Sequence, residues 1–358
     1  MSAGAASSAL SDGSILIAGF KREQRDRKFH KSLVVARFSR GGKLDKSFGA
    51  EGRLIVPLKR RPRDEDLESV AAYHLSSGGT VFVVNWRNRG KSAAAVRVSS
   101  DGSEVSEKVI PIDSVIDPEG RVLSEHAAIL SRSLWSGQLD TSFGSGGSVQ
   151  LDGAVPPAGL AVTAESSVYA VLPGIGGVEK LDASGTPDAS YGTAGVAHPN
   201  SAGMNLFFDQ VVTATAIDGS GRLVASVESN PLDLNPSAYM ARLTPTGEPD
   251  PSFGSAVPGT SSVTTVVPLR TLSGGEIVGL PSGSRGERTK RIGVEFLSSD
   301  GGYDEAAGPS GLTRIRFGRR AVKAWNLDGA SDGSVVVTGS IQSRAGFDQR
   351  VAVARIGG

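Results

Sequence analysis

The 358-residue sequence contains no cysteine, which excludes disulfides, thiolate nucleophiles and sulfur-ligated metals together. Charge of either sign is not in excess: 38 Lys and Arg stand against 37 Asp and Glu, a net charge of +1. Nothing in that balance points to nucleic acid or a membrane surface. No run of about 18 apolar residues occurs, so no transmembrane helix is expected. Met1 to Leu10 is small and polar, without a basic start or a long apolar stretch, and so is no signal peptide. The absence of cysteine fits a secreted or surface protein; an exported form of this chain would be a trimmed one. Methionine and tryptophan occur only three times each, whereas glycine occurs 47 times. That composition suits many short strands joined by turns, with Val, Ile and Ala doing the packing.

A short phrase recurs: Leu44-Asp45-Lys46-Ser47-Phe48-Gly49, Leu139-Asp140-Thr141-Ser142-Phe143-Gly144, Pro187-Asp188-Ala189-Ser190-Tyr191-Gly192 and Pro249-Asp250-Pro251-Ser252-Phe253-Gly254. Asp and Ser side chains bond backbone N–H groups in tight turns, glycine takes backbone angles that other residues avoid, and the ring can drop into a core. The phrase is therefore turn chemistry. A degenerate copy without the aromatic stands at Ser99 to Val105, and another at Tyr303 to Gly308.

Two further signals recur seven times. One is a Gly turn before a β-branched run, as in Asp12-Gly13-Ser14-Ile15-Leu16-Ile17 and Asp332-Gly333-Ser334-Val335-Val336-Val337. The other is a strand carrying a charge before its closing turn, with Arg37, Arg97, Arg132, Lys180, Arg242, Glu295 and Arg355. Each pair reads as a hairpin, preceded by two weaker runs such as Arg53 to Leu58 and Ser69 to Tyr73. A period of about 50 residues with four short strands per unit is the signature of a propeller blade. The expected fold is all-β, a single seven-bladed β-propeller spanning residues 1–358, built of four-stranded antiparallel blades. The first unit lacks the opening strand that elsewhere follows the phrase, and the last unit stops at Arg355-Ile356-Gly357-Gly358. Three readings stay open: a cut chain, a three-stranded first blade, or a partner that supplies the strand.

The pattern Gly42-Lys43-Leu44-Asp45-Lys46-Ser47-Phe48-Gly49-Ala50-Glu51-Gly52, its copy at Gly137 to Gly147, and the upstream Asp-Gly-Ser-Ile-Leu-Ile-Ala-Gly resemble the delta-60 repeat. The resemblance covers essentially the whole chain. It implies a bacterial β-propeller of the kind common in surface and secreted proteins, and it carries no established reaction, ligand or catalytic residue.

Candidate sites are few. Asp45, Asp140, Asp188 and Asp250 are the one conceivable calcium set, but each phrase offers a single carboxylate and the turn role suffices. No other cofactor is expected. The histidines His30, His74, His126 and His198 have no metal-ligand spacing, and no metal site is assigned. Catalytic residues are not identifiable, since no serine lies in a Gly-x-Ser-x-Gly setting. Two charged loops are long for hairpins. Lys21 to Lys31 offers Arg22, Arg25, Arg27 and His30, and Lys59 to Asp66 offers Arg60, Arg61 and Arg63, with acidic neighbours offsetting much of that charge. A third segment, Ala197 to Gln210, carries Phe207 and Phe208 as an apolar cap or partner contact. These nine residues are the expected ligand contacts.

The expectation is a noncatalytic extracellular binding or scaffolding propeller that engages a protein or glycan, not nucleic acid, through loops on one face. The alternatives are a hydrolase or lyase with a central-channel site, and a homo-oligomer formed by strand exchange at the open first blade.

Overall fold

A computed structural model of the chain describes all residues except 1–4, 26–27, 59–66, 87–91, 154, 202–203, 208–209, 229–237, 255–258, 262–265, 282–289, 318–321, 331, 343–348 and 358. The β-branched runs form strands, the Gly turns connect them, and the product is a seven-bladed β-propeller of antiparallel sheets. The first blade orders Ala6–Ala9, Ile15–Arg25, Lys28–Phe38 and Arg53–Pro57. The second orders Leu67–His74, Thr80–Trp86, Ser92–Val98 and Val105–Pro111, and the third Val115–Ile116, Val122–His126, Ile129–Ser133 and Ser148–Gln150. The fourth has Gly159–Val162, Val168–Leu172, Gly177–Leu181 and Val196–Ala197; the fifth has Val211–Ile217, Leu223–Glu228, Ala238–Leu243 and Thr260–Ser261. In the sixth the strands are Val266–Thr271, Ile277–Pro281, Ile292–Leu297 and Leu312–Ile315. The seventh has Val322–Gly329, Val335–Gln342 and Gln349–Ile356.

The strand after each phrase closes the blade before it. Arg53–Pro57 pairs with Lys28–Phe38, Ala36 standing opposite Arg53, because the loop ending at Gly52 (φ 87°) folds the chain back onto the strand it has just left. The expectation that this strand opens the following blade is corrected accordingly, and so is the position of the short blade. The first blade has four strands; the seventh has three among the described residues.

The chain divides into two compact units: Met1–Gly120, Ser284–Ile292 and Ile315–Gly358 make one, Arg121–Gly283 and Gly293–Arg314 the other. In the first, the opening strands of the seventh, first and second blades pack side by side, over a core that includes Leu16, Leu33, Val35, Phe48 and Phe82. In the second, the opening strands of the fourth, fifth and sixth blades pack in the same way, and Tyr169, Val171, Tyr191, Leu206, Phe207 and Leu223 share one core cluster.

Candidate functional site

The phrase builds a repeated device. In the fifth blade Asp250 turns one carboxylate oxygen to Ser252, accepting from its backbone N–H at 2.9 Å and its hydroxyl at 2.7 Å. The other oxygen accepts from Arg242 Nε at 2.8 Å. The guanidinium lies 4.5 Å from the centre of the Phe253 ring and donates onward to Ser299 O in the sixth blade. The third blade repeats this: Arg132 reaches Asp140 at 2.8 Å, lies 4.4 Å from the Phe143 centroid and donates to Ala183 O in the fourth blade at 2.5 Å. Both arginines are only 1% exposed, so each needs its carboxylate to offset desolvation. In the fourth blade Lys180 pairs with Asp188 at 2.8 Å, and in the first Arg37 lies 3.5 Å from Asp45. In these four blades the charged residue before the closing turn and the aspartate of the phrase are thus two halves of one contact.

The aromatic ring reaches the next blade as well. A Cβ on Gly102 would lie 2.7 Å from the Phe48 ring, on Gly185 2.9 Å from Phe143, on Gly247 3.1 Å from Tyr191 and on Gly301 2.6 Å from Phe253. Plug and socket join the first blade to the second and link the third, fourth, fifth and sixth in series. The serine hydrogen bonds hold the carboxylates below their usual range: Asp188 lies at about 2, chiefly through its hydrogen bonds with Lys180 and then Ser190, and Asp45 is lowered chiefly by Ser47.

Among the described residues the second, sixth and seventh blades lack the device, the seventh holding the cation Arg355 without a phrase paired to it. In the sixth, Phe296 occupies the cation position, since the Leu297–Tyr303 bridge matches Phe38–Leu44. The expected charge, Glu295, lies one residue earlier and is buried. Ala306 and Ala307 replace the serine and the ring, while Asp304 still accepts from Ala306 N at 3.1 Å and caps a short 3-10 turn. In the second blade the strand Val105–Pro111 follows the turn directly, Val105 pairing with Val98. A groove of about 600 Å³ lies there, lined by Leu75, Ser77, Arg97, Ser99, Ser103 and Glu104 among others.

A second polar constellation lies on the opening strands of the first unit. His74 Nε2 is 3.0 Å from Asp328 Oδ2, and His74 Nδ1 is 3.1 Å from Ser8 Oγ. Ser8 Oγ is also 2.7 Å from Thr80 Oγ1, and Asp328 accepts from Ala9 N at 2.8 Å. With the Nε2 proton donated to Asp328, Nδ1 accepts from Ser8, the polarity that activates a nucleophilic serine. Ser8, however, has no exposed surface, and neither has Thr80. The arrangement ties the seventh, first and second blades together, and its hydroxyl is closed to substrate. Of these residues only His74 was among the candidates. Ser8 and Asp328 sit 320 residues apart in chain order and carry no motif.

The expected ligand contacts divide three ways. Arg22, Arg25 and His30 are not loop residues: they are strand residues of one long hairpin, with Glu23 opposite His30 and Arg25 opposite Lys28. Phe207 is fully buried in the core of the second unit rather than exposed to a partner. Arg27, Arg60, Arg61, Arg63 and Phe208 lie outside the described residues. His126 sits in the third blade, and His198 bonds Ile175 O at 3.2 Å through Nδ1. Among the described residues no three His, Asp or Glu side chains gather as metal ligands, and no helix is long and apolar enough to cross a membrane.

Comparison with known family models finds a match to one short stretch of the chain. Residues 219–253, which hold a Gly turn, a cation-bearing strand and most of one phrase, match the family described as a domain of unknown function (DUF5122) beta-propeller. No curated protein matches. Among solved structures, a protein of unknown function from Dyadobacter fermentans is similar at 12% identity and a TM-score of 0.46, over 99% of this chain and 94% of that one. A glucose dehydrogenase is similar at 12% identity and a TM-score of 0.40, over 99% and 96%. The β-propeller domain of the Trilobed protease from Pyrococcus furiosus is similar at 8% identity and a TM-score of 0.37, over 99% and 95%.

Proposed function

We propose that this chain is a noncatalytic binding or scaffolding propeller of the delta-60 type, secreted or displayed on a bacterial surface, which engages an anionic glycan or acidic protein surface. One observation carries this reading. Among the described residues the hairpin Ile15–Arg25 and Lys28–Phe38 outruns its blade: the opening strand pairs no further than Ala18, and the closing strand no further than Ser32. Beyond Phe20 a two-stranded ribbon continues for five residues, roughly 16 Å at strand rise. Its sequence, Lys21 to Lys31, holds six Lys and Arg against Glu23 and Asp26. A basic ribbon on a rigid scaffold supplies long-range attraction and backbone edges for a partner.

The test replaces Lys21–Lys31 by a two-residue Asn-Gly turn and compares both proteins on an array of purified anionic and neutral glycans and on an immobilised acidic peptide. Salt-sensitive binding to an anionic probe that disappears in the shortened protein is the expected result. Binding that is absent in the parent, or unchanged in the shortened protein, overturns the proposal.

The Ser8–His74–Asp328 chain favours a second reading, a hydrolase with a site among the opening strands. The complete burial of Ser8 opposes it. Labelling with a fluorophosphonate separates the two: a reactive serine at position 8 is modified, whereas a purely structural one is not.

A further inference from the structure

We infer that the third strand of the seventh blade, Gln349–Ile356, is a recognition edge for an extended polypeptide segment that carries the repeat's own phrase, Asp-x-Ser-aromatic-Gly, followed by a strand. The inference is independent of the basic ribbon. Its basis is that the same molecule shows the occupied form of this site in other blades.

In the first, third, fourth and fifth blades the residue at the cation position donates its N–H to the glycine that ends the phrase loop: Arg37 to Gly52, Arg132 to Gly147, Lys180 to Gly195 and Arg242 to Gly259. Its carbonyl accepts from the phrase aspartate, at 2.8–2.9 Å. Arg355 is the matching residue of the seventh blade, paired with Val336 on its inner side. No strand pairs with its outer side among the described residues. An open edge of this kind is a template for strand addition.

Charge makes the edge selective. In the fifth blade two guanidiniums and two carboxylates form a closed set: Asp218 meets Arg222 at 2.6 Å, and Asp250 meets Arg222 at 3.3 Å and Arg242 at 2.8 Å. At the seventh blade Asp332 alone meets both Arg355, at 2.5 Å, and Arg40, at 2.8 Å. Two cations share one carboxylate, and an incoming aspartate would complete the set. Arg355 donates meanwhile to Gly13 O at 3.1 Å. The aromatic socket is open too. Gly42 is the turn glycine of the first blade, in the position where Gly102, Gly185, Gly247 and Gly301 each meet a ring, and a Cβ there would meet no atom within 4 Å. The site therefore offers a backbone ladder, a place for a carboxylate and a place for a ring, at the spacing of the phrase.

The experiment titrates the full chain with a fluorescent peptide of residues 137–151, which holds the phrase of the third blade, and follows anisotropy together with hydrogen exchange. The expected result is one-to-one binding with protection of the Val353 and Arg355 amides. Peptides bearing Asp140→Ala or Phe143→Ala should bind at least tenfold more weakly, a difference of about 1.4 kcal/mol each. Val353→Pro removes an edge donor and should weaken binding as much; Arg355→Gln serves as a second variant should the proline protein not fold. Absent binding, or binding that survives both peptide substitutions, overturns the inference. So does a dimer that the peptide fails to dissociate, since the edge would then be held by contacts other than the phrase.

Discussion

The closing turns of the fifth and second blades begin from nearly the same spacing and end as opposites. In the fifth, Arg242, Asp250, Ser252 and Phe253 make a buried set that reaches the sixth blade. In the second, the arginine persists as Arg97, but the loop that would bring the other three is gone and a groove lies beside it. The sixth blade has lost cation, serine and ring together, with Phe296, Ala306 and Ala307 in their places. A buried cation, its carboxylate and its ring make one energetic unit, because any member alone is costly.

The largest test of this contrast is Asp250→Ala. It strands a guanidinium that is 1% exposed and should cost about 3 to 5 kcal/mol. Asp101→Ala in the second blade removes only hydrogen bonds among exposed turn residues and should leave the urea midpoint within scatter. Equal losses in the two proteins would end the distinction.

Glycine sockets offer a matched pair. Gly185 and Gly42 share a turn position and left-handed angles of 81° and 76°, so an alanine pays the same backbone strain in both. Only Gly185→Ala also drives a Cβ against Phe143. Its loss should exceed that of Gly42→Ala by about 1 to 2 kcal/mol. Similar losses would show that strain alone sets the requirement for glycine.

Acid should reveal the aspartates next. Asp188 is depressed to about 2, so its contribution is present above the ordinary carboxylate value and is lost as pH falls from about 4 toward about 2. Asp188→Asn should flatten the fall of stability in that window, and an unchanged slope would assign the acid lability elsewhere. The smallest expected effect carries the opposite sign. Tyr191 alone among the four rings has a hydroxyl, which is buried without a hydrogen-bond partner among the described residues, and burial raises its pKa far above the ordinary value. Tyr191→Phe should therefore raise stability by about 1 kcal/mol. A loss would mean that the hydroxyl does useful work.

The blades and their number were legible because turn glycines and β-branched runs are local signals. The phrase was legible as a turn, and the recurring cations were visible too, yet nothing local says that Arg242 folds back onto Asp250. The offset between Glu295 and Phe296 also needs the strand register. The hairpin beyond Phe20 read as a loop because Lys, Arg, Glu and Gln carry little strand preference, although pairing extends to Arg25 and Lys28. Phe207 read as a partner contact because a single apolar cluster in a polar segment does not reveal which way it faces. Ser8, His74 and Asp328 meet only through the adjacency of three blades, which no stretch of sequence records.

Each complete repeat bears a plug at its end and a socket in its own closing turn, so it is complementary to a copy of itself. Tandem duplication of such a segment yields a joint that already fits, with no new residue required. The repeat thus encodes growth but not its limit, since no residue within it counts the copies. Loss of the plug in two copies, the second and the sixth, is what gives an otherwise uniform series its addresses.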